Sequence, residues 1–208
     1  LAEIQLLQSI KAHLEAFLPV RAMELSDEER DFVNSLFLLT SKPVIYAANI
    51  SEDDASDPFS SPLVQELAAI AEVEKAQLIT VCSKMEEEMS GLDDEERKAF
   101  LAEFGIEEAG LAQLITAGYR TLGLISFLTA GPKEVRAWPI KAGTKAPGAA
   151  GKIHSDFERG FIRAEIVAYD DLMACGTYNA AKEKGLVRSE GKEYIMKDGD
   201  VTLFRFNV

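Results

Sequence analysis

Two short polar segments carry side chains able to bind a planar, polar ligand. One runs from Asn49 to Glu52 (Asn-Ile-Ser-Glu) directly after an apolar run, and the other runs from Cys82 to Lys84 (Cys-Ser-Lys) after a second apolar run. Open α/β sheets bind their ligands outside the carboxyl ends of parallel strands. An amide and a carboxylate supply the donors and acceptors that the edges of a nucleobase require, so these segments are candidates for a nucleobase site.

Structural explanations of the same residues stay open. Asn49 and Ser83 are residue types that favour turns and helix caps, and polar residues end many strands. The acidic run 86–88 is typical of a solvated helix face, although carboxylates in such a run can also bind a metal ion.

The glycine-rich segment 145–157 (KAPGAAGKIHSDF) looks like a phosphate-binding loop because it contains Gly-Lys at 151–152. A P-loop needs a glycine, four residues and then Gly-Lys followed by Ser or Thr, since its backbone amides wrap the phosphates and its hydroxyl holds Mg²⁺. Here Ala146 occupies the first glycine position and Ile153 the hydroxyl position, so triphosphate binding is not predicted. The residue types of a Ser-His-Asp triad follow at 154–156, but the side chains of adjacent residues diverge.

Charge is distributed unevenly along the 208 residues. Residues 1–123 contain 9 Lys and Arg against 24 Asp and Glu, whereas residues 124–208 contain 13 against 11, so the net charges are −15 and +2. This asymmetry predicts two domains with different partners. Because phosphate contacts require concentrated Lys and Arg, DNA binding is not expected, and only the C-terminal part is a candidate for contact with RNA.

Other features of the composition narrow the class of protein. Two cysteines without C-x-x-C spacing give no disulfide framework and are typical of a cytoplasmic protein, and two histidines do not favour a histidine-rich zinc site. No apolar run approaches the roughly 20 residues of a membrane span. The chain begins at Leu1 within an amphipathic pattern, so we expect it to be a fragment of a longer protein.

Helical and strand patterns alternate over the first part of the chain. Apolar residues recur every three or four positions over 1–18, as in one half of an antiparallel helical pair, and a capping box begins a second helix at Ser26. Apolar runs at 43–49 and 77–82 predict buried strands on either side of a helix over 63–74. This alternation with short connections predicts an α/β sheet with parallel strands.

Two helical segments have predicted buried faces. In the second helix this face consists of Phe32, Val33, Leu36 and Phe37. The stretch 93–122 is also predicted to be helical, with an acidic first turn that suits the helix dipole. Its expected core residues are Phe100, Leu101, Leu111, Leu114, Ile115 and Leu122.

From Leu124 the pattern becomes β-rich. Strands over 124–129 and 134–140 flank a predicted hairpin turn, and a turn at 197–200 leads into a last strand over 201–207. A further strand over 161–168 is expected to present Phe161, Arg163, Glu165 and Val167 on one face. These elements predict a mixed β domain wrapped on one helix, a β-grasp-like arrangement.

Three segments carry a family resemblance. Residues 42–52 (KPVIYAANISE) resemble the base-recognition segment of the Obg-like ATPase family, in its YchF branch. Residues 143–166 (GTKAPGAAGKIHSDFERGFIRAEI) and the end of the chain, with Gly-Lys-Glu-Tyr, Asp-Gly-Asp and Phe-Arg-Phe-Asn-Val over 191–208, resemble the TGS domain that closes those proteins. The resemblance extends over essentially the whole chain and implies a C-terminal fragment of a YchF-type protein.

The resemblance implies an architecture. The family combines a P-loop GTPase-like α/β domain, a helical-hairpin insertion and a TGS domain of the β-grasp type. Residues 1–22 would then be the returning helix of the insertion and residues 23–101 the C-terminal part of the nucleotide-binding domain. Residues 102–123 would be a helical connector and residues 124–208 the TGS domain.

The resemblance also implies roles for the two polar segments. Related GTPases carry Asn-Lys-x-Asp at the base loop, and here Ile50 replaces the lysine and Glu52 the aspartate. That aspartate accepts hydrogen bonds from guanine, so its loss relaxes guanine selection and implies ATP over GTP. The roles carried over are purine contact for Asn49, adenine selection for the Ile50 backbone and Glu52, and a base-pocket lining of Cys82, Ser83 and Lys84.

Two functions follow from the resemblance. In the first, the chain is part of a ribosome-associated ATPase that uses ATP, with GTP also possible, and Mg²⁺. This sequence contains no counterpart of the P-loop, the Mg²⁺-binding switch residues or the catalytic-water region, so we expect no hydrolysis by the chain alone. In the second, the TGS domain and the helical arm bind ribosomal RNA or protein without chemistry. The candidate RNA contacts are Lys133, Lys141, Lys145, Lys152, Arg159 and Arg163. The alternative is that these residues are ordinary surface charges.

Overall fold

The computed structural model describes residues 2–106, 108–131 and 134–207. The chain divides into two units, the first ending at Thr121 and the second beginning at Leu122. This boundary lies close to position 124, where the sequence pattern changes from helical to β-rich. Among the described residues, no helix has both the length and the apolar character needed to cross a bilayer.

Helices and strands alternate in the first unit, as the sequence pattern predicts. Its helices are α1 (Ala2–Glu15), α2 (Asp27–Ser35), α3 (Pro62–Val73), α4 (Ser83–Met89), α5 (Asp94–Glu103) and α6 (Gly110–Leu122). Its strands are β1 (Ile45–Asn49) and β2 (Gln77–Val81).

The two strands of the first unit form a parallel pair. The register aligns Ile45 with Gln77 at one end and Asn49 with Val81 at the other. Helix α3 connects the strands and packs against both, with Pro62 in its first turn, where the missing N–H costs no hydrogen bond. The predicted parallel α/β arrangement is confirmed, and both polar segments follow the same end of the sheet.

Helix α2 begins as predicted, but its buried face is shorter than expected. The backbone N–H of Glu29 donates to Ser26 Oγ at 3.3 Å, and that of Ser26 donates to Glu29 Oε2 at 2.9 Å. Val33 is buried, and Phe32 and Leu36 are partly buried against it. The predicted burial of Phe37 is wrong, since its side chain is 79% exposed. The helix ends at Ser35, and a left-handed backbone at Phe37 (φ 52°) takes this residue off the apolar face.

The predicted core of the stretch 93–122 is also partly wrong. The stretch is interrupted between α5 and α6, and Phe100 packs against the cluster around Met85 as expected. Helix α6 instead buries Gly110 and Ala117. A Cβ atom at Gly110 would lie 2.9 Å from the methyl groups of Val81, so this helix approaches the sheet through its small residues. Its large apolar side chains are exposed at Leu111, Leu114, Ile115 and Leu122.

The second unit is a five-stranded mixed sheet with short helices. Its strands are β3 (Leu124–Ala130), β4 (Val135–Lys141), β5 (Phe161–Ala168), β6 (Arg188–Glu190) and β7 (Asp200–Phe206). Its helices are α7 (Ala146–Ile153), α8 (Ser155–Arg159), α9 (Tyr169–Cys175) and α10 (Tyr178–Glu183). The strand order is β4-β3-β7-β5-β6, with β3 and β7 parallel and the other neighbours antiparallel.

Side chains alternate between the two faces along each strand, and helices cover both faces of this sheet. On one face, Ile166 and Phe204 pack against the alanines of α7 in the larger core cluster. On the other face, Val167 and Val201 pack in a second cluster with residues of α9 and α10. The expectation of a single helix is therefore too simple.

A backbone irregularity changes one predicted face of β5. Arg163, Glu165 and Val167 share a face, as expected, but Phe161 does not lie with them. The pairing register with β7 shifts between Phe161 and Arg163. The extra residue turns Phe161 into the opposite core with Ile166, where it is 5% exposed.

Candidate functional site

The two polar segments lie side by side at the carboxyl end of the parallel strand pair. Asn49 is the last residue of β1 and lies opposite Val81, the last residue of β2. The backbone N–H of Ile50 donates to the Val81 carbonyl at 2.9 Å, so the pairing continues one residue beyond the strands. Parallel pairing thus places the segment after β1 next to the segment after β2.

The side chain of Asn49 bridges these segments. Its Oδ1 accepts a hydrogen bond from the backbone N–H of Ser83 at 3.1 Å and another from Ser83 Oγ at 2.9 Å. Only the amide oxygen can accept from a backbone N–H, so the Nδ2 group must point the other way. Nδ2 donates to no other described residue and is available to a ligand. Asn49 is therefore both a cap for α4 and a donor of fixed orientation.

A salt bridge joins the segments a second time. Lys84 Nζ lies 2.8 Å from Glu52 Oε2, and the two side chains are 66% and 36% exposed. The hydrogen bond to Glu52 and its negative charge raise the pKa of Lys84. An exposed pair of this kind adds little to stability, but it joins the side chain of Glu52 to that of Lys84 across the two segments. Both residues are candidates from the sequence pattern alone, which does not reveal that they pair.

Two of the predicted residues turn their side chains away from this surface. Cys82 is buried with Ala55 and Met85, and Ile50 is partly buried against the same cluster. Their contribution at the strand ends is therefore made by the backbone. The Ile50 carbonyl oxygen accepts no hydrogen bond within the described residues.

The result is a donor and an acceptor on consecutive residues. Asn49 offers its Nδ2 hydrogens, and Ile50 offers its carbonyl oxygen. Two consecutive residues at the strand ends thus supply one donor and one acceptor that are not used by other described residues. Glu52 and Lys84 add charged groups at the rim.

The acidic run on α4 has one structural role. Glu86 Oε1 accepts a hydrogen bond from the backbone N–H of Gly110 at 2.6 Å and thereby holds the start of α6. Throughout the described parts of the chain, no three His, Cys, Asp or Glu side chains come together as a metal site.

The basic residues predicted to contact RNA are distributed over several elements of the second unit. Lys133 lies outside the described residues. Four of the others are engaged within the protein: Lys141 donates to the Leu122 carbonyl at 2.7 Å, and ion pairs join Lys145 to Glu193 at 2.6 Å, Arg159 to Asp156 at 2.6 Å and Arg163 to Glu165 at 3.2 Å. Lys152 has no carboxylate within 4.0 Å among the described residues.

These basic residues do not share one face of the sheet. Lys152 belongs to α7, which packs on the face that contains Ile166. Arg163 lies on the opposite face with Glu165, which also binds Arg205 Nη2 at 3.1 Å. The bonds from Arg205 and then Arg163 outweigh burial and hold the pKa of Glu165 below its usual range.

Comparison with known proteins identifies the family. Residues 124–207 match the family model YchF-GTPase_C, described as "Protein of unknown function (DUF933)". The ribosome-binding ATPase YchF of Bacillus subtilis is 52% identical over 206 residues, which are 99% of this chain and 56% of that protein. The chain belongs to the YchF family. The ribosome-binding ATPase YchF of Escherichia coli O157:H7 is 45% identical over 207 residues, again 56% of its length. The chain thus spans little more than half of these YchF relatives.

Solved structures agree with this assignment. The YchF GTPase of Schizosaccharomyces pombe superimposes with a TM-score of 0.86 at 36% identity, over 98% of this chain and 54% of that one. A GTP binding protein from Pyrococcus horikoshii OT3 gives a TM-score of 0.56 at 20% identity, over 95% of this chain and 55% of that one, and shows a shared fold only.

Replacing Asn49 separates its role as a cap from its role as a donor. We expect Asn49→Ala to lower the free energy of unfolding of the first unit by about 1 kcal/mol, because the N–H of Ser83 loses its acceptor. Asn49→Asp should retain most of this stability, since a carboxylate caps as well as an amide. Urea unfolding followed by circular dichroism measures both. Equal losses in the two variants would contradict the capping role.

Proposed function

We propose that this chain supplies the purine-binding and docking parts of a ribosome-associated ATPase that prefers ATP to GTP. Relatives that cover almost all of it are named ribosome-binding ATPases, but the chain spans 56% of their length. The main structural support for purine binding is the orientation of the Asn49 side-chain amide, which Ser83 fixes through two hydrogen bonds. A soluble, cytoplasmic location is part of it.

The chemistry of the two purines explains the proposed preference. Along one edge, adenine presents N7 as an acceptor beside the N6 amino group as a donor, whereas guanine presents two acceptors, N7 and O6. Asn49 Nδ2 would donate to N7 of either base. The carbonyl of Ile50 would accept from the amino group of adenine but would oppose O6 of guanine.

The neighbouring residues would hold this pair in place. Ser83 fixes the Asn49 amide through two hydrogen bonds, and Lys84 fixes the Glu52 carboxylate. The buried side chain of Cys82 packs with Ala55 and Met85 and so fixes the segment from Cys82 to Lys84 to the core. Fixing both loops in advance lowers the entropy lost on binding.

The residues at the carboxyl end of the strand pair fit the base better than they fit the phosphates and Mg²⁺. Mg²⁺, when bound, neutralises charge on the transferred phosphoryl group. The described residues form no metal cluster, and the sequence contains no P-loop motif. We therefore propose that the phosphates and Mg²⁺ are bound by parts of the YchF relatives that this chain does not match.

Binding of nucleosides tests the purine site without the phosphates. Adenosine should bind this chain several-fold more tightly than guanosine, measured by nuclear magnetic resonance titration. Asn49→Asp should remove most adenosine binding, because the carboxylate keeps the cap but presents no donor to N7. Lys98→Gln, a change on the exposed surface of α5, is the matched control. Equal binding of the two nucleosides would contradict the proposed preference.

The proposal assigns no hydrolysis to the chain by itself. With ATP and Mg²⁺, phosphate release should equal that of a buffer blank, because the sequence contains no P-loop motif to hold the transferred phosphoryl group in line with an attacking water. A malachite-green assay measures it. Release above the blank that persists after a second purification step would overturn this part of the proposal.

A second candidate function is a binding module without chemistry. The strand order of the second unit, with its parallel central pair and a helix packed on one face, supports the assignment of a TGS domain of the β-grasp type. Lys152, exposed and without an ion pair in the described structure, is the best placed of the proposed RNA contacts. A non-catalytic chain would bind ribosomes through such residues regardless of nucleotide.

Cosedimentation with ribosomes tests this second function. The chain should pellet with ribosomes at low salt and be released as salt rises, because phosphate contacts release counterions. Lys152→Gln should weaken pelleting more than Lys145→Gln, since Lys145 is already paired with Glu193. No pelleting at low salt, or equal effects of the two variants, would contradict docking through Lys152.

A further inference from the structure

A cleft in the first unit lies away from the proposed purine site. It has a volume of about 410 Å³ and is lined by Val44, just before β1, and by Gln77, the first residue of β2. These positions mark the amino-terminal end of the strand pair, whereas Asn49 lies at the carboxyl end. The cleft therefore requires an explanation of its own.

The charge of the cleft is opposite to that of the unit around it. The first unit contains 9 Lys and Arg against 24 Asp and Glu. Four of those nine basic residues line this cleft, and Glu74 is the acidic residue among the lining side chains. The four basic residues of this basic cleft are Arg21, Arg30, Lys75 and Arg120.

One of the four cations is neutralised within the protein. Arg21 Nη2 lies 2.7 Å from Glu74 Oε2, and these side chains are only 17% and 12% exposed. The hydroxyl of Tyr46 donates to the same carboxylate oxygen at 2.8 Å. Burial lowers the pKa of Arg21, but the bonds with Glu74 and Tyr46 outweigh it, and the net shift is upward. This pair forms a rigid wall of the cleft.

The other three cations have no such partner. Within the described residues, no carboxylate lies within 4.0 Å of Arg30, Lys75 or Arg120. They come from separate elements: Arg30 from α2, Lys75 from the turn after α3, and Arg120 from the last turn of α6. Three unpaired positive charges around one cavity leave it with a positive potential that internal contacts do not cancel.

A further observation indicates a ligand. Thr121, also in the lining, has a buried hydroxyl oxygen that finds no hydrogen-bond partner in the described structure. Buried polar atoms are nearly always satisfied, so an unsatisfied one indicates a missing partner. Lys75 occupies a left-handed backbone position (φ 54°) at a helix end, where glycine is the usual residue.

We propose that the basic cleft binds phosphate groups. Guanidinium groups pair with phosphate oxygens in a bidentate manner, and an ammonium adds a point charge, so Arg30, Arg120 and Lys75 match this ligand. The hydroxyl of Thr121 donates the additional hydrogen bond. The phosphate belongs either to a small polyphosphate or to the backbone of an RNA strand, and the same side chains bind both.

Calorimetric titration of the chain with pyrophosphate, and separately with a short single-stranded RNA, tests the proposal. Arg30→Gln and Arg120→Gln should each weaken binding roughly tenfold, the effect of a lost charge-assisted hydrogen bond. Lys98→Gln removes a charge outside the cleft, and Asn49→Asp alters the purine site, so neither should change it. Binding of pyrophosphate identifies a small anion as sufficient, and binding of RNA alone identifies the RNA backbone.

Lys75→Gly separates the proposed role from a structural one. Glycine adopts the left-handed conformation without strain, so the melting temperature should stay the same or rise slightly while phosphate affinity falls. A stable Lys75→Gly variant with unchanged affinity would overturn the contribution of Lys75. The whole proposal is overturned if neither probe binds at low salt, or if the Arg30 and Arg120 variants bind as tightly as the unchanged chain.

Discussion

The hydrogen bonds from Ser83 to the amide oxygen of Asn49 determine what the carboxyl end of the sheet can bind. They join the loop after β1 to the helix after β2, and they fix which way the amide nitrogen points. This arrangement requires the parallel register that places Asn49 opposite Val81. Alanine at Gly110, in contact with Val81, would push α6 away from these strands. The proposed base recognition thus depends on backbone pairing and on close packing behind it.

The two ends of the strand pair differ in charge. The carboxyl end presents an amide, a carbonyl and one balanced ion pair, which suits an uncharged base. The amino end presents three cations without an ion-pair partner among the described residues, in a unit that is strongly acidic elsewhere. Because the protein repels anions over most of the first unit, a local positive potential there favours one binding position. The proposed base site and the proposed phosphate site therefore lie at opposite ends of the same strands and would not compete.

Features of the fold that depend on residues close together in the sequence are predicted well. Features that depend on contacts between distant segments are not. The capping box at Ser26 and the apolar runs of β1 and β2 depend on neighbouring residues, and the structure agrees with them. The face of Phe161 was mispredicted because a bulge depends on the partner strand. The apolar periodicity of α6 predicted the wrong buried face. Gly110 lets this helix approach Val81 of the sheet more closely than a face of leucines would. The basic cleft was missed since its cations are separated by up to a hundred positions along the chain.

A nuclear Overhauser measurement on an isotope-labelled chain saturated with adenosine shows which residues contact the base. If Asn49 donates to N7, a contact appears between the side-chain amide protons of Asn49 and the base proton next to N7, and it is absent when guanosine is added at the same concentration. The claim would be contradicted if bound adenosine showed no contact with Asn49, or if its contacts lay instead with residues of the basic cleft such as Arg120.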